Sequence, residues 1–157
     1  MILCTGNVCR SPMGQVLLGR EAAARGSAVE VSSAGFVTED RAAEPHAVRV
    51  MADRGLDLAG HRSRLATLQI LAPADLVIGM TREHVRQAYS LDGDALPRTF
   101  TLKEIVRRGS AVGPITGGLD AWLADVNDGR EASELLGRHE IDDVADPVGR
   151  SRRRFRA

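Results

Sequence analysis

Cys4-Thr5-Gly6-Asn7-Val8-Cys9-Arg10-Ser11-Pro12 follows directly on Met1-Ile2-Leu3, and the junction between the two decides how the chain is read. Met1-Ile2-Leu3 is an apolar run that reads as a short buried strand. Ser11-Pro12 is a helix start, because serine can cap free N–H groups and proline in the first turn gives up no hydrogen bond. Met13, Val16 and Leu17 then recur at helical spacing, and Gly26 supplies a stop. The order is strand, tight loop, helix, with a cysteine at the strand end and an arginine at the helix mouth.

That placement has chemical consequences. A loop wrapped over a helix N-terminus aims several backbone N–H groups at one point, where the helix dipole favours an oxyanion such as phosphate. Thr5, Gly6, Asn7, Val8, Cys9 and Arg10 are the candidate phosphate-binding residues, with Gly6 relieving the backbone where it turns. Arg10 adds a planar, bidentate grip on two phosphate oxygens. The same positive potential favours the thiolate of Cys4, and a thiolate under a bound phosphate is a nucleophile in line with the P–O bond. The residue types and spacing describe covalent phosphoryl transfer, for which neither metal nor cofactor is required.

Working outward, strands and helices alternate. Val29 to Ser33 alternates like a strand, Pro45 to Arg54 reads as a helix ended by Gly55, and Leu76-Val77-Ile78 is a short apolar run. A helix around Arg82 to Ala88, a strand near Thr99-Phe100 and a helix from Lys103 to Arg108 follow. Gly109 to Gly118 reads as a flexible loop, and Leu119, Trp122, Leu123 and Val126 mark an amphipathic helix in which Trp122 belongs to the core. The pattern predicts an α/β fold: one domain over residues 1–157, a doubly wound parallel sheet of about four strands with helices on both faces, and a phosphate-binding loop after the first strand.

Composition sets the outer limits. At 157 residues, with 43% hydrophobic and 27% charged, the chain has the balance of one globular domain. Lys plus Arg equals Asp plus Glu at 21 each, so no overall field recruits nucleic acid or an anionic membrane, and anion recognition must be local. The Arg150 to Arg156 cluster reads as a solvated face. With no long apolar run and no export leader, the expectation is cytoplasmic. Cys4 and Cys9 are too few and too close for a secreted disulfide scaffold. Cys9 reads equally as a partner that could capture oxidised Cys4 and as a residue packed beneath the loop.

The nine-residue string is similar to the signature of the low-molecular-weight protein tyrosine phosphatases, Cys-x-Gly-Asn-x-Cys-Arg-Ser-Pro after a first strand, and every fixed position matches. The resemblance extends to about residue 150. It implies hydrolysis of phosphotyrosine in a protein substrate, with Cys4 and Arg10 catalytic and Asp146 of Asp146-Pro147 as general acid. It also implies a supporting set: Ser33 of Ser33-Ala34-Gly35 bonding Asn7, and His61 bonding Ser11. His46, His84 and His139 read as ordinary polar histidines.

The chain departs from that family in three places. Val148 and Gly149 stand where many members carry aromatics after Asp-Pro, leaving Phe36 as the nearest replacement wall for a substrate ring. Val8 stands where a protein arginine phosphatase branch carries threonine, and its apolar side chain favours an ester over a phosphoguanidinium. Both ends are short for the family, so the first strand and final helix are expected to be incomplete. The alternatives to a tyrosine phosphatase are an arsenate reductase borrowing a small-molecule thiol, a protein arginine phosphatase, and a phosphate-binding module without turnover.

Overall fold

The computed structural model describes residues 1–137, 139–150 and 152–155. Arg156 and Ala157, the end of the arginine run and of the range read as one domain, lie outside them. The elements, in chain order, are β1 (Ile2–Cys4), α1 (Arg10–Ala24), β2 (Ser33–Gly35), α2 (Pro45–Ala52), α3 (Leu68–Leu71), β3 (Val77–Gly79), α4 (Arg82–Leu91), β4 (Thr99–Thr101), α5 (Leu102–Val112) and α6 (Leu119–Asn127), with short 3₁₀ turns at Leu96–Arg98, Ala132–Leu135 and Arg152–Phe155. The strands form a four-stranded parallel sheet in the order β2-β1-β3-β4, every strand residue being buried. Such strands read as apolar or small-residue runs, because helices connect them and neither face meets water. The chain comprises two compact units, residues 1–66 with 145–157, and residues 67–144.

In the first unit β1 pairs with β2 in the register Ile2↔Ser33, Leu3↔Ala34, Cys4↔Gly35. β2 thus lies later than the Val29 to Ser33 alternation suggested, and Val29 is 61% exposed. Pairing with the three residues of β1 selects the small segment Ser-Ala-Gly over the upstream run, which has no strand to join. Met13, Val16 and Leu17 of α1 pack on a core of Cys9, Ala43, Ala47, Val50, Met51, Leu58 and Phe155. α2 begins at Pro45 with the Glu44 carboxylate accepting from the amides of His46 (2.6 Å) and Ala47 (3.2 Å), a side-chain cap with proline in the first turn. It ends at Ala52, short of the expected Arg54, and Gly55 (φ 71°) turns the chain away.

In the second unit β3 pairs with β4, Val77↔Thr99 to Gly79↔Thr101. α5 opens on a capping box, with Thr101 Oγ1 accepting from the Glu104 amide and Glu104 Oε2 from the Thr101 amide, both at 3.1 Å. Glu104 is buried and is paid for by Arg130, whose Nε lies 2.7 Å from it and whose guanidinium sits 4.3 Å from the Phe100 ring centre. α5 continues to Val112, so Gly109 belongs to the helix and the loop is shorter than the glycine count implied. The Trp122 ring explains it: a Cβ on Gly109 would lie 2.6 Å from Trp122 Cζ2, so the helix needs glycine there for α6 to close. Trp122 itself is in the core as expected, donating to the Gly113 carbonyl at 2.8 Å. His84, read as an ordinary polar histidine, is buried at the start of α4 with Nδ1 2.9 Å from Thr81 Oγ1.

Asp142 is paired with two arginines. It accepts from Arg82 Nε (2.9 Å), Arg82 Nη2 (2.6 Å) and Arg107 Nη1 (2.6 Å), while Asp143 caps α4 by accepting from the Arg82 amide (2.8 Å). Burial pushes the Asp142 carboxyl up, and the hydrogen bonds and charges of Arg107 and Arg82 overcome that, so its pKa is lowered. A lowered carboxyl stabilises the fold above its unfolded value and loses that contribution as pH falls through the folded one. Asp142→Asn is therefore expected to destabilise by about 3 kcal/mol at neutral pH, as for a buried pair with one partner removed. Denaturant melts of the two proteins should converge as pH drops below the ordinary aspartate range. A gap unchanged in acid would mean that shape, rather than charge, holds this contact.

Candidate active site

The loop between β1 and α1 is a cradle whose backbone is held from behind. Asn7 has a positive φ of 48°, sparsely populated for a residue with a side chain, and is fully buried. Its surroundings over-determine it. Its Nδ2 donates to Ser11 Oγ and to Ser33 Oγ, each at 2.9 Å, its Oδ1 accepts from the Arg64 amide at 3.0 Å, and its carbonyl accepts from His61 Nε2 at 2.6 Å. Every polar group of the side chain is used, which is how a strained conformation persists at a site.

Ser33 therefore meets Asn7, the contact expected for it. His61 differs: it reaches the Asn7 carbonyl, where the resemblance pointed to Ser11. Ser11 is already engaged, with Oγ 3.0 Å from Cys4 Sγ and 3.4 Å from the Ala34 carbonyl, besides its bond to Asn7. The helix also begins one residue before the expected cap, at Arg10, so Ser11 lies inside the first turn and Cys9 is the N-cap with no side-chain capping bond. The Cys9 side chain thus leaves the first-turn amides to an oxyanion.

The rim of the cradle is set by residues 36–38. The Phe36 and Val37 amides donate to the Thr5 carbonyl (2.8 and 3.2 Å), and Thr38 Oγ1 donates to the Gly6 carbonyl at 2.5 Å. Phe36, the expected replacement wall, is half-buried, and Val37 after it is 62% exposed. Val8 packs on the core around Cys9 and α2.

Cys4 and Cys9 are both buried free thiols. Burial, followed by the negative charges of Asp146 and Cys4, pushes the Cys9 thiol up to about 12 against the opposing pull of Arg10. A thiol held protonated in an apolar cluster packs and does not attack, which favours the packing reading of Cys9. Arg10 is nearly buried; its Nη2 donates to Asp146 Oδ2 at 2.6 Å and to Thr5 Oγ1 at 3.3 Å. Asp146 is exposed, Pro147 after it is buried, and Asp146 Oδ1 accepts from the Val148 amide at 3.1 Å. Cys4, Arg10 and the Asp146 carboxyl group paired with Arg10 thus lie within one compact unit. Among the described residues, no cluster of His, Cys, Asp and Glu could hold a metal ion, and no helix is long and apolar enough to cross a membrane.

Two contributors to the cradle were absent from the sequence reading. Arg64 meets Asn7 through its backbone amide, which no residue type announces, while its Nε donates to the Ser33 carbonyl at 2.7 Å. Gly35 had a signal: a Cβ there would lie 2.7 Å from the Asn7 nitrogen and 2.9 Å from the Thr5 carbonyl oxygen, and a glycine ending a strand beside a ligand loop marks such close approach.

Residues 1–112 match the model of a family described as low molecular weight phosphotyrosine protein phosphatase. A protein-arginine-phosphatase of Bacillus subtilis (strain 168) is 37% identical over 125 residues, 78% of this chain and 83% of that one. A probable low molecular weight protein-tyrosine-phosphatase, EpsP of Ralstonia solanacearum, is 32% identical over 137 residues, covering 78% and 92%. Among solved structures, the YwlE arginine phosphatase from Geobacillus stearothermophilus superposes with a TM-score of 0.70 at 31% identity, covering 99% of this chain and 79% of that one. The chain that folds Cys4, Arg10 and Asp146 around one cradle belongs to the low-molecular-weight phosphotyrosine protein phosphatase family.

Proposed function

We propose that the chain hydrolyses phosphotyrosine in protein substrates through a cysteinyl-phosphate intermediate on Cys4, in the reducing setting of the cytoplasm. The observation that carries this reading is the arrangement at the mouth of α1, where Cys4 Sγ lies on Ser11 Oγ and Arg10 holds the Asp146 carboxylate at 2.6 Å. A bound phosphate dianion takes over the Arg10 guanidinium, and Asp146 is released to carry a proton toward the ester oxygen. The Cys4 thiolate attacks phosphorus, the P–O bond to the phenol breaks, and Asp146 protonates the departing oxygen. Water then attacks the phosphocysteine and gives its proton to Asp146. The S–P bond breaks, inorganic phosphate leaves, and the Ser11 hydroxyl supports the returning thiolate.

A second reading, hydrolysis of phosphoarginine, draws support from the 37% identity to the Bacillus protein of that name. Val8 argues against it, because an apolar side chain offers a guanidinium no hydrogen bond. Initial rates on matched phosphotyrosine, phosphoarginine and phosphoserine peptides decide between them. We expect phosphotyrosine to be fastest; a higher kcat/KM on phosphoarginine overturns that ranking. Phosphate binding without turnover of p-nitrophenyl phosphate would make the chain a binding module, and thiol-dependent arsenate turnover at the ester rate would make it a reductase.

The cradle's dependence on Gly35 gives a separate prediction. Gly35→Ala drives a methyl into the Asn7 and Thr5 backbone, which cannot swing aside as a flexible side chain would. Misplacing a reacting group by about 1 Å can cost on the order of 10²-fold in rate, and kcat should fall by that order on p-nitrophenyl phosphate. Retention of more than half the wild-type kcat would show that the loop accommodates the methyl without moving Cys4.

A further inference from the structure

We propose that Gln15 is a positioning residue: as the acceptor of the Ser33 hydroxyl it anchors one arm of a buried hydrogen-bond network whose other arm ends on Cys4. The direction of its bonds can be worked out from one donor that has no alternative. The Arg64 backbone N–H donates to Asn7 Oδ1 at 3.0 Å, which fixes the amide so that Nδ2 faces the other way. Both hydrogens of Nδ2 are then spent, one on Ser11 Oγ and one on Ser33 Oγ, each at 2.9 Å. Each serine receives a hydrogen bond from Asn7, so its single hydroxyl proton must leave in another direction.

For Ser33, buried in β2, that acceptor is Gln15 Oε1 at 2.6 Å. For Ser11 the choice is between Cys4 Sγ at 3.0 Å and the Ala34 carbonyl at 3.4 Å, and the closer site is the sulfur. Two ordered arms thus leave Asn7, one donating through Ser33 to Gln15 and the other through Ser11 to the Cys4 sulfur. Gln15 is the member whose chemistry a substitution can invert. A residue there that only donates leaves the buried Ser33 proton without its acceptor and turns it toward Asn7 Nδ2. Two donors then oppose each other, Asn7 is displaced, and Ser11 loses the bond that directs its own proton to sulfur.

Gln15 is half-buried on α1, so charged side chains can be tolerated at that position. The other titratable or charged groups around the loop include Arg10 on α1, Cys9 in the loop, Glu44 capping α2, His61 on the Asn7 carbonyl, Arg64 beside Asn7, and Asp146 on Arg10, and none is altered in the test. The inference rests on the proposed role of Cys4, yet it is read without turnover, from the pH midpoint of Cys4 alkylation by iodoacetamide followed by mass spectrometry.

An ordered chain and a simple electrostatic field predict opposite signs. Q15E, acceptor-only when ionised, should keep the wild-type midpoint. Q15K, donor-only, should raise it by on the order of one pH unit, a tenfold change in the thiol–thiolate equilibrium. A field alone would have lysine lower the midpoint and glutamate raise it. Q15M, which offers no acceptor, should also raise it, and it replaces Q15K if the lysine variant does not fold. Midpoints that coincide across wild type, Q15E and Q15M, or that follow the sign of the added charge, overturn the proposal. A wild-type protein inactive on every ester would instead sink the phosphatase reading and leave this titration interpretable.

Discussion

Cys4→Ser is expected to abolish ester hydrolysis while leaving phosphate binding intact. The anion is gripped by parts that the substitution does not touch: Arg10, the loop amides, and the uncapped first turn of α1. The hydroxyl that replaces the thiol is ionised only marginally at neutral pH, and Ser11 Oγ, which lies 3.0 Å from the sulfur and also bonds Asn7, is not a base able to remove its proton. Loss of an activated nucleophile typically costs on the order of 10⁴-fold or more. Turnover of p-nitrophenyl phosphate and the calorimetric affinity for inorganic phosphate should therefore separate cleanly. A serine variant retaining a tenth of the wild-type rate would rule out the covalent scheme, and one that no longer binds phosphate would mean that Cys4 shapes the cradle as well.

Most of the fold was legible because its decisive stretch is local. A strand of three residues, a loop and a helix are spelled out within two dozen positions, and the cradle's chemistry follows from residue type and order. Legibility declined where a structure depends on which atom, rather than which residue, makes a contact. His61 was recognisable as a supporting residue, yet its partner is a carbonyl in the same loop rather than the serine, which is already bonded to Asn7 and Cys4. Arg64 contributes a backbone amide, which no motif advertises, and Gly35 an absent Cβ, which only its place at a strand end beside the loop hints at. The β2 error has the same origin: alternation marks a segment able to pair, and the location of β1 determines which residues do so.

Arg10 and Asp146 meet across 136 positions, a contact that no spacing rule encodes, and it bears on the second large effect. Asp146→Asn is expected to lower kcat on phosphotyrosine by about 10² to 10⁴, the usual contribution of general acid catalysis. The loss should be much smaller on esters of acidic phenols, because an activated phenolate departs without a proton. The neighbouring carboxylates provide controls with defined environments. Asp142 is buried on Arg82 and Arg107, and Asp143 caps α4 through the Arg82 amide, so neither is free to donate a proton to a ligand. Asp142→Asn and Asp143→Asn should lower stability, with any loss of rate equal across leaving groups. The measurement is a plot of log kcat/KM against leaving-group pKa for the three variants. A steep slope confined to Asp146→Asn assigns the acid. A uniform loss in Asp146→Asn would reduce Asp146 to a residue that shapes its loop through the Arg10 ion pair and the Val148 amide, and a steep slope in Asp143→Asn would move the proton there.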